Sequence, residues 1–125
     1  MRNGKRNAGF TLIEMLLVLA LISLLASIAA PVVSGAVMRA REATLQQNLR
    51  VLRKLIDDFY ADRGQLPASL EILVKEGYLR SIPVDPISGG SADWNPQMAK
   101  KGKGIEDVHS RSTARGSDGV PYADW

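Results

Sequence analysis

An apolar run close to the N-terminus limits what this chain can fold into. Residues 10–30 read FTLIEMLLVLALISLLASIAA, and Glu14 carries the only ionisable side chain among them. As an α-helix, this 21-residue run extends about 30 Å, close to the thickness of the hydrocarbon core of a bilayer. We therefore predict a transmembrane helix over residues 10–30, preceded by a basic leader of residues 1–9.

The position of Glu14 within this run needs a physical reason. A carboxylate inside a spanning helix costs a few kcal/mol, so it is normally near an end, paired or functional. Glu14 lies four residues after Phe10. Cleavage after Gly9 would expose a charged α-amino group on Phe10, and the cut would thereby create a partner for the carboxylate.

The motif GFTLIE at residues 9–14 resembles the processing motif of type IV pilins and type II secretion pseudopilins. The resemblance implies that a prepilin peptidase cuts after Gly9, that Phe10 is then N-methylated, and that Glu14 serves filament assembly. Pro31 follows the apolar run and matches the family's usual helix-kinking proline. Unwinding of the helix near Pro31 in the assembled filament is the alternative to a kink.

The charge of the chain favours membrane orientation over nucleic-acid binding. The formal net charge is +3, and the leader residues Arg2, Lys5 and Arg6 account for it, since the remaining basic and acidic side chains balance. Nucleic acid is therefore not an expected partner. Positive charge beside an apolar segment favours the cytoplasmic side. We predict a single-pass inner-membrane protein with a cytoplasmic N-terminus and a periplasmic domain over residues 31–125.

An ordinary secretory signal peptide is the competing interpretation of the N-terminus. Small residues near a possible cleavage site, Ser27, Ala29 and Ala30, fit that pattern. The mature chain would then be a soluble periplasmic binding protein. The carboxylate of Glu14 and the length of the apolar run argue against it. A mature N-terminus at Phe10 would support the pilin-like interpretation, and one near Pro31 would support the signal peptide.

The pattern after Pro31 predicts an amphipathic helix over residues 36–62. Its apolar residues are separated by steps of four, three, four and three, as on one face of a helix. They are Leu45, Leu49, Leu52, Ile56 and Phe59. A short helix is predicted over residues 68–76, because Pro67 lies near its start and Gly77 just past its end.

A small β region is predicted over residues 92–125. Two short strands, at residues 92–98 and 105–108, flank a lysine- and glycine-rich segment with the composition of a hairpin turn. The fragments DPISG, DVHSRS and DGVPYADW resemble the outer domain of cysteine-free proteins similar to major pseudopilins, and this chain has no cysteine. The resemblance implies an α+β, pilin-like fold with a long N-terminal helix packed on a small antiparallel sheet.

Several groups of residues after the N-terminal motif carry side chains of the types used in catalysis or binding. Asp107, His109 and Ser110 have the composition of a catalytic triad, but a strand would place Ser110 on the opposite face from the other two. We predict a structural role for His109 and no enzymatic activity. Tyr122 and Trp125 are predicted to hold the C-terminal segment onto the domain.

The remaining polar clusters contain side chains of the types that bind calcium or phosphate. Hard oxygen ligands for calcium are available at Asp85, Asp93, Asp107, Asp118 and Asp124. Major pseudopilins commonly bind calcium in a C-terminal loop, of which Ser117-Asp118-Gly119 is a fragment. We predict a surface turn there and no metal or cofactor. The three lysines of the predicted hairpin are expected to be a solvated tip; they are Lys100, Lys101 and Lys103.

The resemblance implies a structural subunit of a type II secretion pseudopilus that supports protein export. Expected partners are copies of itself, prepilin peptidase, the inner-membrane assembly platform, other pseudopilins, and membrane lipid before assembly. Glu14 would pair with the Phe10 amine of a neighbouring subunit, or alternatively favour its own helix N-terminus. Apolar residues such as Leu16, Leu17, Leu19 and Leu21 would pack between subunits. A type IV pilus subunit for adhesion, motility or DNA uptake is the alternative function.

Overall fold

The structure is a computed structural model that describes residues 9–125. The predicted leader residues Arg2, Lys5 and Arg6 lie outside the described residues. The elements, in chain order, are helix α1 (Leu12–Arg63), helix α2 (Leu70–Lys75), strand β1 (Trp94–Met98), strand β2 (Ile105–Ser110) and a 3₁₀ turn (Tyr122–Asp124).

Helix α1 contributes to two compact units, one ending at Val37 and the other comprising Met38–Trp125. The first turn of the helix carries Glu14, and Pro31 lies inside it. Residues 28–36 are helical. The predicted bend at Pro31 remains a prediction, as does unwinding in a filament. The helix continues through the proline although Val32, Val33 and Gly35, which follow it, have lower intrinsic helix propensity than alanine.

The core of the second unit is built on one face of α1. Leu45, Leu52 and Ile56 are fully buried, which agrees with the spacing of apolar residues in the sequence. They pack in one hydrophobic cluster with side chains from α2, both strands and the 3₁₀ turn, among them Leu73, Trp94, Val108 and Tyr122. Complete burial of each leucine or isoleucine side chain stabilises the fold by about 2 kcal/mol.

Strands β1 and β2 form a two-stranded antiparallel sheet. Trp94 is opposite Ser110 and Pro96 is opposite Val108, with a register irregularity between Gln97 and Met98. Proline cannot donate to a neighbouring strand, and it is tolerated in β1 because an edge strand needs partners on one side alone.

The hairpin between the strands needs glycine at its end. Gly104 is buried and has φ +119°, and a Cβ placed there would lie 2.7 Å from Leu66 Cβ. This position combines a backbone conformation that favours glycine with a close approach of another segment. The adjacent Ile105 N–H donates to Pro67 O at 2.8 Å, so the hairpin is attached directly to the segment that precedes α2.

The α+β class, with a long helix packed on a small antiparallel sheet, is confirmed. The predicted strand boundaries are close to those observed, but α2 is shorter than the predicted helix over residues 68–76. Much of residues 111–125 is not strand. That segment contains one isolated bridge, between Arg115 and Pro121, and the 3₁₀ turn. This segment is held by side-chain hydrogen bonds and not by pairing with a neighbouring strand along its length.

Candidate functional site

The segment around Gly9 and Phe10 is open to other molecules. Gly9 is exposed, and a Cβ built on it has nothing within 4 Å. Phe10 is 81 % exposed. Packing within the chain therefore does not require glycine at position 9 or fix the Phe10 ring. Any selection for these two residues must come from a molecule that binds the segment.

Glu14 belongs to a capping box at the N-terminus of α1. The Thr11 N–H donates to Glu14 Oε2 at 3.3 Å, and the Glu14 N–H donates to Thr11 Oγ1 at 3.2 Å. This reciprocal pair satisfies two backbone donors that the first turn of a helix leaves without partners. Within a single chain, Glu14 thus has the local role that was the alternative to intersubunit pairing. The spacing Thr-x-x-Glu, which is typical of a capping box, is the sequence signal for this role.

The N-terminal part of α1 is apolar and uncovered. Among residues 9–125, α1 is the one helix whose length and composition suit a membrane crossing, with a window of mean hydropathy 2.7 and no buried residue in it. Leu16, Leu17, Leu19 and Leu21 are all more than half exposed. Leaving so much apolar surface in water is unfavourable, so lipid or other protein must cover it.

Serine hydroxyls within this apolar segment are satisfied locally. Ser23 Oγ donates to Leu19 O at 2.8 Å, and Ser27 Oγ donates to Leu24 O at 2.7 Å. Bonds of this kind let polar side chains enter hydrocarbon without an unsatisfied donor. These serines therefore do not conflict with a membrane-spanning helix.

A buried carboxylate joins α1 to the C-terminal segment. Glu42 is 6 % exposed and lies on the buried face of the helix. Its Oε1 accepts from the Ser117 N–H at 2.7 Å and from the Tyr122 hydroxyl at 2.8 Å, and its Oε2 accepts from Ser117 Oγ at 2.6 Å. We call Glu42, Ser117 and Tyr122 the Glu42 latch. The predicted attachment of the C-terminal segment through Tyr122 is confirmed.

The latch shifts the acidities of its own members. The hydroxyl of Ser117 lowers the pKa of Glu42; burial opposes this effect, while the Tyr122 hydroxyl and the Ser117 N–H reinforce it. Burial, together with the neighbouring Glu42 carboxylate, raises the pKa of Tyr122 to about 12. Both shifts favour the protonation states that the hydrogen bonds require, a carboxylate facing a neutral phenol.

Arg53 provides a second attachment of the C-terminal residues. Its Nε donates to Asp107 Oδ1 at 2.7 Å, and its Nη2 donates to Val108 O at 3.0 Å and to Trp125 O at 2.8 Å. Burial raises the pKa of Asp107, but the Val108 N–H and Arg53 outweigh burial and hold that pKa below its usual value. Trp125 also contacts the Tyr122 ring edge-on, with ring centroids 4.9 Å apart.

Asp107, His109 and Ser110 do not assemble into a catalytic triad. His109 Nε2 lies 3.3 Å from Asp107 Oδ2, but Ser110 is buried and its hydroxyl donates to Asp85 Oδ2 at 2.5 Å. Asp85 also accepts from the Ile87 N–H at 2.8 Å. The DPISG turn and the end of β2 are therefore joined through Asp85, which has a structural role that the sequence analysis did not find.

Three of the five acidic residues that have calcium-ligand chemistry are bonded to separate protein groups. Asp118 Oδ1 accepts from the Val120 N–H at 2.9 Å, within the surface turn, whereas Asp85 and Asp107 have the partners given above. Within residues 9–125, no three histidine, cysteine or acidic side chains are grouped so that they could hold a metal ion. The hairpin lysines are exposed; they are Lys100, Lys101 and Lys103.

Comparisons with known proteins bear on the N-terminal segment first. The family model described as the prokaryotic N-terminal methylation motif matches residues 4–30. This match includes Gly9, Phe10, Glu14 and the whole predicted transmembrane helix. No solved structure matches the chain.

Curated relatives extend the similarity into the folded unit. The competence protein ComGC of Halalkalibacterium halodurans is 33 % identical over 72 residues, covering 58 % of this chain and 71 % of that protein. Type II secretion system core protein G of Pseudomonas aeruginosa is 28 % identical, covering 85 % of this chain and 83 % of that protein. The core protein G of Escherichia coli is 29 % identical, and the coverage is 77 % of each chain. Together with the N-terminal motif and the α+β fold, these similarities show that the chain belongs to the type IV pilin and type II secretion pseudopilin family.

Proposed function

We propose that this protein is a structural, non-enzymatic subunit of a type II secretion pseudopilus and that it supports protein export. The observation that carries the proposal is the exposed apolar part of α1, whose first turn carries the capping-box Glu14 and most of which lies within the N-terminal methylation motif. Similarity to core protein G over most of the chain supports the same assignment. A filament covers the apolar surface by packing these helices against one another.

Maturation begins with cleavage of the peptide bond between Gly9 and Phe10. Prepilin peptidase adds water across this bond, which leaves a carboxylate on Gly9 and an α-amino group on Phe10. N-methylation of Phe10 follows. The exposure of both residues supports this step, since a peptidase can reach the bond without unfolding any described element.

Substitution of Gly9 tests peptidase recognition. Because a Cβ at Gly9 meets nothing within the chain, Gly9→Ala leaves folding unchanged, and any defect reports on recognition. The expected result is accumulation of uncleaved precursor in membranes, seen by mass spectrometry of the N-terminal peptide. Gly64→Ala, which places a Cβ at a position with φ +67° in the folded unit, controls for the effect of a small backbone strain on processing. Normal maturation of Gly9→Ala would contradict the role given to Gly9.

Glu14 exchanges partners during assembly. In the single chain it accepts from Thr11, in a hydrogen bond of 3.3 Å at the helix start. In the filament, its charge pairs with the Phe10 amine of a neighbouring subunit. Loss of one partner from a poorly solvated ion pair costs several kcal/mol, which is enough to select the register of an incoming helix.

Glu14→Gln separates the local role from the intersubunit role. Glutamine also completes a capping box, so this variant retains the helix start but loses the charge. We expect it to be processed and inserted in the membrane but to form few filaments, measured by shearing and electron microscopy. Glu71→Gln, an exposed charge removal on α2, is the matched control. Normal filaments from Glu14→Gln would limit Glu14 to capping.

The proposed location is the inner membrane, with the N-terminus in the cytoplasm and the folded unit in the periplasm. The proposed partners are prepilin peptidase, the inner-membrane assembly platform, other pseudopilins and further copies of this chain. Deletion of the protein is expected to abolish release of secreted enzymes, with rescue by the wild-type chain. Unchanged secretion together with loss of surface fibres would instead indicate a type IV pilus subunit.

A further inference from the structure

Two exposed arginines follow the apolar segment of α1 directly. Residues 15–38 contain no ionisable side chain, and Arg39 and Arg41 are the first charges after them. Both are exposed, and within residues 9–125 neither side chain has a hydrogen-bond or ion-pair partner. Ala40 separates the two arginines, and the Glu42 that follows them is buried and bonded to Ser117 and Tyr122.

The Glu42 latch brings a third arginine to the same part of the folded unit. Arg115 lies two residues before Ser117, whose N–H and hydroxyl both contact Glu42. Arg115 Nη1 donates to Gly119 O at 2.7 Å, and the side chain is exposed. We call Arg39, Arg41 and Arg115 the arginine surface. Arg115 lies 74 positions after Arg41 in the sequence, and the latch joins the two segments that carry them.

Nearby carboxylates do not form ion pairs with the arginine surface. Glu42 is buried, and the hydrogens of Ser117 and Tyr122 occupy its oxygens. Asp118 is exposed in the same loop, where its Oδ1 accepts from the Val120 N–H. In the part of the chain that the structure describes, none of the three arginines forms an ion pair with a carboxylate.

We propose that the arginine surface docks on lipid phosphate groups where the apolar segment of α1 leaves the bilayer. The charge-free segment is 24 residues long, or about 36 Å as a helix, enough to cross the hydrocarbon core with some tilt. Chain continuity then places Arg39 and Arg41 at the phosphate level. Guanidinium groups bind phosphate through paired hydrogen bonds. This inference rests on membrane residence before assembly, as in the proposed function.

The absence of cysteine from the chain allows a direct test with single labels. The full chain is placed in phosphatidylcholine vesicles with or without phosphatidylglycerol, carrying a fluorophore at Thr113→Cys, beside the arginine surface. A lipid-headgroup quencher then reports contact with the membrane. A label at Ala61→Cys, near the other end of the folded unit's part of α1, is the control position. We expect stronger quenching at position 113, increased by phosphatidylglycerol and reduced by salt.

Removal of the charges on Arg39 and Arg41 tests whether these two arginines bind lipid phosphate. Arg39→Gln with Arg41→Gln is the principal variant, because these side chains have no partners whose loss would disturb folding. We expect docking to weaken by about fivefold for each arginine removed. The matched control replaces Lys100, Lys101 and Lys103 by glutamine, which removes three cations from the hairpin. The proposal would be overturned if the arginine and lysine variants lost quenching at position 113 to the same extent. It would also be overturned if quenching at that position occurred only after two copies of the chain were crosslinked.

Vesicle flotation keeps this test distinct from that of the proposed function. A chain that floats with vesicles but shows no quenching at position 113 is inserted without docking. This result contradicts docking by the arginine surface and leaves the proposed function unaffected. A chain that does not float contradicts membrane residence and hence both proposals.

Discussion

Single polar residues decide how the C-terminal segment is attached to α1. Glu42 lies three positions before Leu45 and so continues the spacing of the buried face. That position was a sequence signal that a carboxylate would be buried. Its partners could not be found in the same way, because Ser117 is 75 residues away along the chain. The capping box formed by Thr11 and Glu14 was recognisable from local spacing alone.

Glu42→Gln is expected to lower the free energy of unfolding by about 1–3 kcal/mol, because its amide NH₂ would face a donor and leave it without an acceptor. The measurement is urea unfolding of the full chain in detergent micelles, followed by fluorescence of buried Trp94. Glu71→Gln, which is exposed, should change stability by about 0.5 kcal/mol or less. Equal stability of Glu42→Gln and wild type would show that the latch contributes nothing measurable.

Acid should destabilise the folded unit through Glu42 and Asp107. Both pKa values are lowered in the folded chain, from ordinary values of 4.5 and 3.8. The unfolded chain therefore binds more protons in this range, and the stability that these groups contribute is present above their ordinary pKa values. It is lost as pH falls through the lowered values. Unfolding by urea at a series of pH values measures the slope, which should be shallower in Glu42→Gln. An unchanged slope in that variant would remove Glu42 from the explanation.

At the scale of elements, apolar spacing predicted α1 and its core face because burial and helix periodicity are both local. The two strands and the hairpin were recognised from β propensity and glycine-rich turn composition. Their exact ends were less accurate, and α2 begins at Leu70 rather than at residue 68. Residues 111–125 were assigned to the β region, but their backbone is held mainly by the Glu42 latch and Arg53. Contacts of that kind have no periodic signal.

Gly104→Ala should destabilise the hairpin more than Gly102→Ala does. Both glycines have positive φ, +119° and +105°, but a Cβ at Gly104 meets Leu66 whereas one at Gly102 has nothing within 4 Å. The backbone cost of about 1 kcal/mol is common to both variants, so the difference isolates the steric contact. Urea unfolding of the two variants provides the comparison. A larger effect at Gly102 would contradict the packing against Leu66.

At the scale of the whole molecule, the chain combines a segment that cannot remain bare in water with a unit that has its own core. Every residue of the buried hydrophobic cluster lies between Leu45 and Tyr122. The apolar segment that ends near Val37 has no buried large side chain. Membrane residence and filament packing are two ways to cover that segment, and neither requires the core of the folded unit to change.

A fragment of residues 34–125 is expected to fold as a soluble monomer. It retains the whole core, and Ser34 can cap the shortened helix. We expect a cooperative unfolding transition with a free energy of about 5 kcal/mol or more, measured by urea titration of Trp94 fluorescence. Size-exclusion chromatography checks the oligomeric state. A broad, non-cooperative transition would show that the apolar segment contributes to the stability of the folded unit.

The sequence by itself determined the apolar segment, the N-terminal methylation motif, the long helix and its buried face, since each follows from residues close together in the chain. Tertiary structure alone decided that Glu42 holds Ser117 and Tyr122, that Asp85 holds Ser110, and that Arg53 reaches Trp125. The physical reason is that hydrogen bonds between distant side chains depend on how elements pack. Polar residues have no periodicity that would reveal which of them meet.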